Sequence, residues 1–190
     1  MSEWPSERYG VIVADPPWPY TSPGQIGATL EHRPNRDITK NRMGAGSVER
    51  YGAMSIGDIR SLDVPAAENA HLYLWFTNQF AVEAHDVARA WGFRPVTICT
   101  WVKVKPDGSP SMKMGYYFRG ATEHFLFGVK GSQRLIAQRA LPTAYLWPRT
   151  PHSEKPEAFY DLVEEASPGP FLELFARRYR LGWTSWGNEV

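Results

Sequence analysis

The stretch YGVIVADPPW, from Tyr9 to Trp18, limits what this chain can fold into more than any other. Val11, Ile12 and Val13 are β-branched and apolar with no polar residue between them, the pattern of a strand covered on both faces. Such a strand needs one layer of structure above it and another below. It cannot run far past Ala14, because Pro16 and Pro17 have no N–H to give to a sheet ladder. The buried strand therefore stops abruptly and leaves an acid, two prolines and a tryptophan at its end.

The rest of the chain supplies the layers. HLYLWFT (71–77), RPVTICTWVKV (94–104) and EHFLFGVKG (123–131) read as further strands, with FLELFAR (171–177) and LGWTSWGNE (181–189) as two closing ones. SIGDIRSLDVPAAENA (55–70) reads as a short helix and a turn, with Ser55 as N-cap. NQFAVEAHDVARAWG (78–92) reads as a helix stopped by Gly92. SEKPEAFYDLVEEASPG (153–169) reads as a helix with Ser153 as N-cap and Pro156 in its first turn. Strands alternating with helices predict an α/β fold, a mostly parallel sheet with helices on both faces. The 190 residues suffice for a single domain, residues 1–190, with a real core. Ligands bind such sheets at the C-terminal ends of the strands. That edge would hold Asp15–Trp18, Glu173–Arg177 and Asn188–Glu189. Residues 19–50 and 103–122 carry no regular pattern and are expected to be mobile, substrate-facing loops beside it.

Charge points to a partner. From Arg94 to Ser153 there are nine Lys/Arg against two acids, a local balance of +7 in a chain whose net charge is +1. A basic surface of this kind suits nucleic acid. Aromatics reach 14%, with eight Trp, which suits stacking on flat ligands. The single cysteine, Cys99, lies in an apolar run and reads as a buried thiol. No Cys/His cluster has zinc spacing, so no metal is expected. No apolar run approaches the ~18 residues of a membrane span, and MSEWPSERYG lacks the pattern of a signal peptide. A cytoplasmic chain that makes no membrane contact is expected.

Asp15, Pro16, Pro17 and Trp18 together suit one chemical task. The prolines present carbonyl acceptors on a stiff backbone, Asp15 adds a carboxylate, and Trp18 adds a flat face. An exocyclic amine on adenine is a poor nucleophile because its lone pair is delocalised into the ring. Asp15 would accept one of its hydrogens and the Pro16 carbonyl the other, localising the lone pair for attack on a methyl-sulfonium. Trp18 would stack on the base. Positioning and electrostatics carry such a reaction.

These residues resemble the MT-A70 family of adenine-N6 methyltransferases, which carry DPPW as their catalytic motif. The likeness continues through YGAMSIGDIRSL (51–62), LYLWFTN (72–78), WVK (101–103), EHFLFGVKG (123–131), HSEKPEAFYDLVE (152–164), LELFAR (172–177) and GW…GNE (182–189). DPPW precedes LELFAR, the β-class order of permuted amino-methyltransferases. The resemblance implies a Rossmann-like fold and S-adenosylmethionine as cofactor. It implies that Lys155 pairs with the cofactor's methionine carboxylate. Asp15, Glu173, Phe175 and Arg177 would border the cofactor, and Asn188 and Glu189 would lie near its ribose and adenine. Tyr51 and Trp101 would wall the target-adenine pocket, with Lys103 nearby.

A base inside a duplex must be flipped out or already unpaired to react. DNA is expected over RNA, from the likeness to small bacterial and phage members, with a homodimer or a partner subunit reading the target. One rival is an inactive family member serving as a nucleic-acid-binding partner subunit; Asp15, Lys155, Arg177 and Asn188 are all present, which disfavours it. Another is an amino-methyltransferase for cytosine N4 or a protein amide, which typically shows Ser-Pro-Pro-Tyr or Asn-Pro-Pro-Tyr. A nicotinamide oxidoreductase would want G-x-G-x-x-G after the first strand, and none is present.

Overall fold

The computed structural model describes residues 3–20, 53–113, 117–150 and 154–190. Seven strands form one sheet: β1 (Tyr9–Ala14), β2 (Ala66–Phe76), β3 (Arg94–Val104), β4 (Thr122–Lys130), β5 (Ala144–Pro148), β6 (Phe171–Leu174) and β7 (Trp183–Trp186). Their order is β5-β3-β4-β2-β1-β6-β7. β4 runs antiparallel to both of its neighbours, and every other pairing is parallel. The mostly parallel sheet is as expected for a Rossmann-like methyltransferase fold, and β1 lies inside it, paired to β2 on one side and β6 on the other.

All six residues of β1 are buried because both faces are covered. On one face Ile12, Ala14, Leu72, Leu74, Leu172 and Leu174 pack under helices α1 (Ile56–Arg60) and α2 (Ala81–Ala90). α2 delivers Ala84, Val87 and Ala88, spaced to lie on one side of the helix. On the other face Val11, Val13, Tyr73, Trp75 and Phe125 pack against Phe159, Tyr160, Leu162 and Val163 of helix α3 (Glu157–Ala166). The alternation along β1 sends successive side chains to opposite faces, so Asp15, next after Ala14, continues on the α3 side.

Ser55 caps α1 as expected: its Oγ accepts the Asp58 N–H at 3.1 Å. Gly92 ends α2 in the left-handed region, at φ 83°. Three details correct the sequence reading. β2 starts at Ala66, so AAENA is strand rather than turn; pairing to β1 and β4 outweighs the low strand propensity of Ala, Glu and Asn. β5 was not anticipated, being five residues at the sheet edge ended by proline. α3 takes Pro156 as its N-cap, later than Ser153, which lies outside the described residues.

Within the stretch 103–122, β3 ends at Val104 and β4 begins at Thr122, and the described residues between them are turns and irregular chain. The chain reverses at 105–109, where the Lys105 N–H donates to the Ser109 carbonyl at 2.9 Å, and backbone bonds from the Lys103 N–H to the Ala121 carbonyl and from the Lys113 N–H to the Gly120 carbonyl, both 2.8 Å, tie its two limbs together. Of the other loop, 19–50, residues 21 onward lie outside the described residues, as does Tyr51. Among the described residues, no helix is long and apolar enough to cross a membrane.

Candidate active site

The parallel strands bring their C-terminal ends to one edge. Asp15 follows β1, Phe175 follows β6, and Asn188 and Glu189 follow β7. β4 runs the other way, so its first residues, Thr122 and Glu123, arrive at the same edge, with Glu123 in register with Trp101.

Beyond β1 the chain turns tightly. The Trp18 N–H donates to the Pro16 carbonyl at 2.8 Å, and the Met54 N–H donates to the Pro17 carbonyl at 3.1 Å. A carbonyl has two lone pairs, so the Pro16 oxygen retains one acceptor site. Trp18 departs from its expected role. Its ring is 2% exposed and stacks on Phe80, with centroids 5.2 Å apart. Its Nε1–H donates to the Trp75 carbonyl at 2.9 Å. Neither face is open to a base; Trp18 anchors the turn that presents Asp15, because an apolar ring beside a core is buried more favourably than left to solvent.

Trp101 is likewise core rather than pocket wall. It is buried, meets Trp75 edge to face, and donates its Nε1–H to the Trp147 carbonyl at 2.9 Å.

Three charged side chains converge beside Asp15. The Lys155 Nζ lies 2.6 Å from Asp15 Oδ2 and 3.4 Å from Glu123 Oε2. Glu123 Oε1 is in turn paired with the Lys103 Nζ. The chain of charges thus alternates: Asp15, Lys155, Glu123, Lys103. Both ammoniums also lie on indole rings, Lys155 at 4.9 Å from the Trp75 centroid and Lys103 at 4.4 Å from that of Trp101. Lys155 and Lys103 are 8% and 7% exposed at the side chain, whereas Asp15 is 29% exposed and so faces the open edge.

Burial and charge compete here. Burial would raise the Glu123 pKa, but Lys155 and Lys103 outweigh it and hold the carboxyl at about 2. Burial opposes the Lys155 ammonium, yet Asp15 and Glu123 hold its pKa above the ordinary lysine value. For Lys103 burial prevails, and its pKa lies below the lysine norm despite Glu123. Glu123 was not singled out from the sequence. The available signal was the need for a counter-charge: two lysines predicted at one site require acid between them, and Glu123 is the one acid of its strand.

The β6–β7 end has its own polar cluster. Glu173 accepts a hydrogen bond from the Tyr160 hydroxyl at 2.7 Å, and burial raises its pKa. The Arg180 guanidinium covers the Tyr160 ring at 3.8 Å, and Arg180 and Arg178 both pair with Glu157. Ser185 is in register with Glu173. Arg180 Nε and Ser185 Oγ are buried without a hydrogen-bond partner, as is Trp75 Nε1 on the β2 side. Buried polar atoms left unpaired cost free energy. Phe175 adopts a left-handed φ of 63° directly after β6. Gly187 lets the two loops meet, since a Cβ there would sit 2.1 Å from the Ala176 carbonyl oxygen. Asn188 and Glu189 are exposed beyond it. Arg177, on the β6–β7 loop, is partly buried. Among the described residues no group of three His, Cys, Asp or Glu could hold a metal ion.

This geometry coincides with strong similarity to known proteins. Residues 9–189 match the MT-A70 family model. The chain is 28% identical to the type II methyltransferase M.MunI of a Mycoplasma species, over 98% of this chain and 79% of that one. It is 30% identical to the N6-methyladenosine RNA methyltransferase MTA1 of Cryphonectria parasitica, over 96% of this chain and 52% of that one. It is 25% identical to the human N(6)-adenosine-methyltransferase catalytic subunit METTL3, over 96% of this chain but only 28% of that protein. A match covering nearly every described residue, on a Rossmann-like sheet with DPPW at its C-terminal edge, places the chain in the MT-A70 family of S-adenosylmethionine-dependent methyltransferases.

Proposed function

We propose that this chain transfers a methyl group from S-adenosylmethionine to the exocyclic N6 amine of adenine in nucleic acid. One observation carries the reading: Asp15, at the open end of the central strand, is held at 2.6 Å by a buried lysine that is itself fixed by Glu123. A carboxylate oriented in this way before substrate arrives needs little reorganisation during reaction.

The residues at the β6–β7 end fit the cofactor. Two polar atoms without partners, Arg180 Nε and Ser185 Oγ, lie there, and the exposed Asn188 and Glu189 suit ribose hydroxyls. Glu173, Phe175 and Arg177 would border it. An ammonium has three N–H donors, and Lys155 directs two at Asp15 and Glu123; the third suits a ligand carboxylate. When bound, the cofactor supplies an electrophilic methyl group on sulfonium. Asp15 accepts a hydrogen from the adenine amine and the Pro16 carbonyl accepts the other, so the nitrogen lone pair points at the methyl. The N–C bond would form as the methyl–sulfur bond breaks, the sulfonium leaving as a neutral thioether, and the amine proton would pass to Asp15 or solvent.

DNA is the proposed polymer, because of those three relatives the one most fully spanned is the type II methyltransferase. A second copy or a partner subunit would supply sequence reading. The test is methyl transfer from labelled cofactor to duplex DNA, single-stranded DNA and RNA, followed by nucleoside mass spectrometry. N6-methyladenine in a polymer, lost in Asp15→Ala, supports the proposal. Cofactor binding with no methylated adenine in any polymer rejects it.

A further inference from the structure

The hairpin-like connection between β3 and β4 is not used by the chemistry above. Its limbs are joined at the Lys103–Ala121 and Lys113–Gly120 backbone bonds, and the first limb folds back on the end of β3 through a tight turn at 105–109, so that the Ser111 N–H donates to the Lys103 carbonyl at 2.7 Å. It therefore springs directly from the residues that hold Glu123 and Lys103. Residues 114–116 lie outside the described residues. Beside them, Phe118 is 92% exposed and Tyr117 89%. Burying a phenylalanine is normally favourable, so a fully presented ring next to an active edge calls for a partner.

The surroundings of the ring say which kind. Lys113 and Arg119 are exposed on the hairpin's paired limbs and Lys105 is exposed on the turn at the end of β3, and among the described residues none of the three is in an ion pair. Its one acid, Asp107, is engaged locally, accepting from the Ser109 N–H at 2.9 Å and hydroxyl at 2.6 Å. The positive charge of Lys113 reaches Glu123 and Lys103 electrostatically, so the arm stands close to the reacting edge. Cores of protein–protein contacts are depleted of charge. Aromatic rings flanked by lysine and arginine are the pattern that grips unpaired nucleic acid, rings on base faces and cations on phosphates.

We propose that this hairpin is a substrate-gripping arm, with the Phe118 ring stacked on an unpaired base next to the target adenine and Lys105, Lys113 and Arg119 on the flanking phosphates. The inference rests on the nucleic-acid reading above. It also gives the flipped base's neighbours the stacking surface that buried Trp18 and Trp101 cannot provide.

The experiment compares wild type with Phe118→Ala, Phe118→Trp and Lys113→Gln. Anisotropy on randomised DNA and RNA oligonucleotides is measured alongside steady-state methyl transfer. Phe118→Ala should raise KM and Kd for the oligonucleotide about 5- to 150-fold, leaving kcat at saturation, cofactor affinity and melting temperature unchanged. Phe118→Trp should restore binding, and Lys113→Gln should lower the salt-dependence slope by about one. A wild-type KM in Phe118→Ala overturns the arm while leaving the methyltransferase reading intact. So does a changed mass by light scattering with KM unaltered, which reassigns the ring to a protein contact. A wild type that modifies no polymer overturns the functional reading and the arm with it.

Discussion

The Lys155 ammonium lies 2.6 Å from the Asp15 carboxylate, across 140 residues of chain. The two come from opposite ends of the sequence: Asp15 leaves β1, and Lys155 precedes α3 on the face that β1 shares with Glu123. Asp15 is thus oriented by a partner that is itself braced, through Glu123, by Lys103.

Lys155→Met should therefore do more than weaken cofactor binding. It leaves Asp15 and Glu123 without their shared cation, and breaking a buried pair from one side typically costs about 3–5 kcal/mol. Urea denaturation should show a loss of that order. Cofactor affinity by calorimetry should fall as well, and an unchanged affinity would remove Lys155 from the cofactor site.

Glu123→Gln should reveal its charge through pH. The native pKa of about 2 lies below the ordinary carboxyl value of 4.5. The carboxylate's stabilising contribution is therefore present above pH ~4.5 and lost as pH falls toward ~2. The gap corresponds to a contribution on the order of 3 kcal/mol. Wild type and variant should differ most in unfolding free energy near neutrality and converge in acid. A constant difference across that window would show that Glu123 acts by packing alone.

His71 sets a second pH dependence, away from the active edge. It is fully buried, its Nδ1 lies 2.7 Å from Ser167 Oγ, and Ser167 also meets the Tyr73 hydroxyl at 2.7 Å. Burial lowers the His71 pKa. The unfolded chain thus binds the proton more readily, and stability should fall as pH drops below the unfolded histidine value of about 6.5. Melting curves from pH 8 to 5 should show this loss in wild type and a smaller one in His71→Gln.

Trp18→Phe and Trp18→Ala separate the anchoring role from base stacking. Phenylalanine keeps a ring against Phe80 but loses the bond to the Trp75 carbonyl, costing about 1–3 kcal/mol, and some ring volume. Alanine opens a cavity and should cost about 3–5 kcal/mol. Once folded, Trp18→Phe should keep the wild-type KM for nucleic acid. A large rise in KM without loss of stability would return Trp18 to the substrate.

Local chemistry along the chain was enough for the frame and for half of the site. An uninterrupted β-branched run broken by Pro-Pro can only be an inner strand ending at an edge, so Asp15 was legible from local chemistry. Strand and helix periodicity gave both layers, because period is a property of neighbouring residues. The ordered motifs were enough to indicate the family. Tertiary structure decided what depends on partners far apart in the chain. It made AAENA a strand through its neighbours and β5 an edge through β3. It buried Trp18 and Trp101, which look alike in sequence whether they face core or ligand. It joined Asp15, Lys155, Glu123 and Lys103 into one alternating chain of charge, since the reversal of β4 alone brings Glu123 to the edge where the parallel strands end.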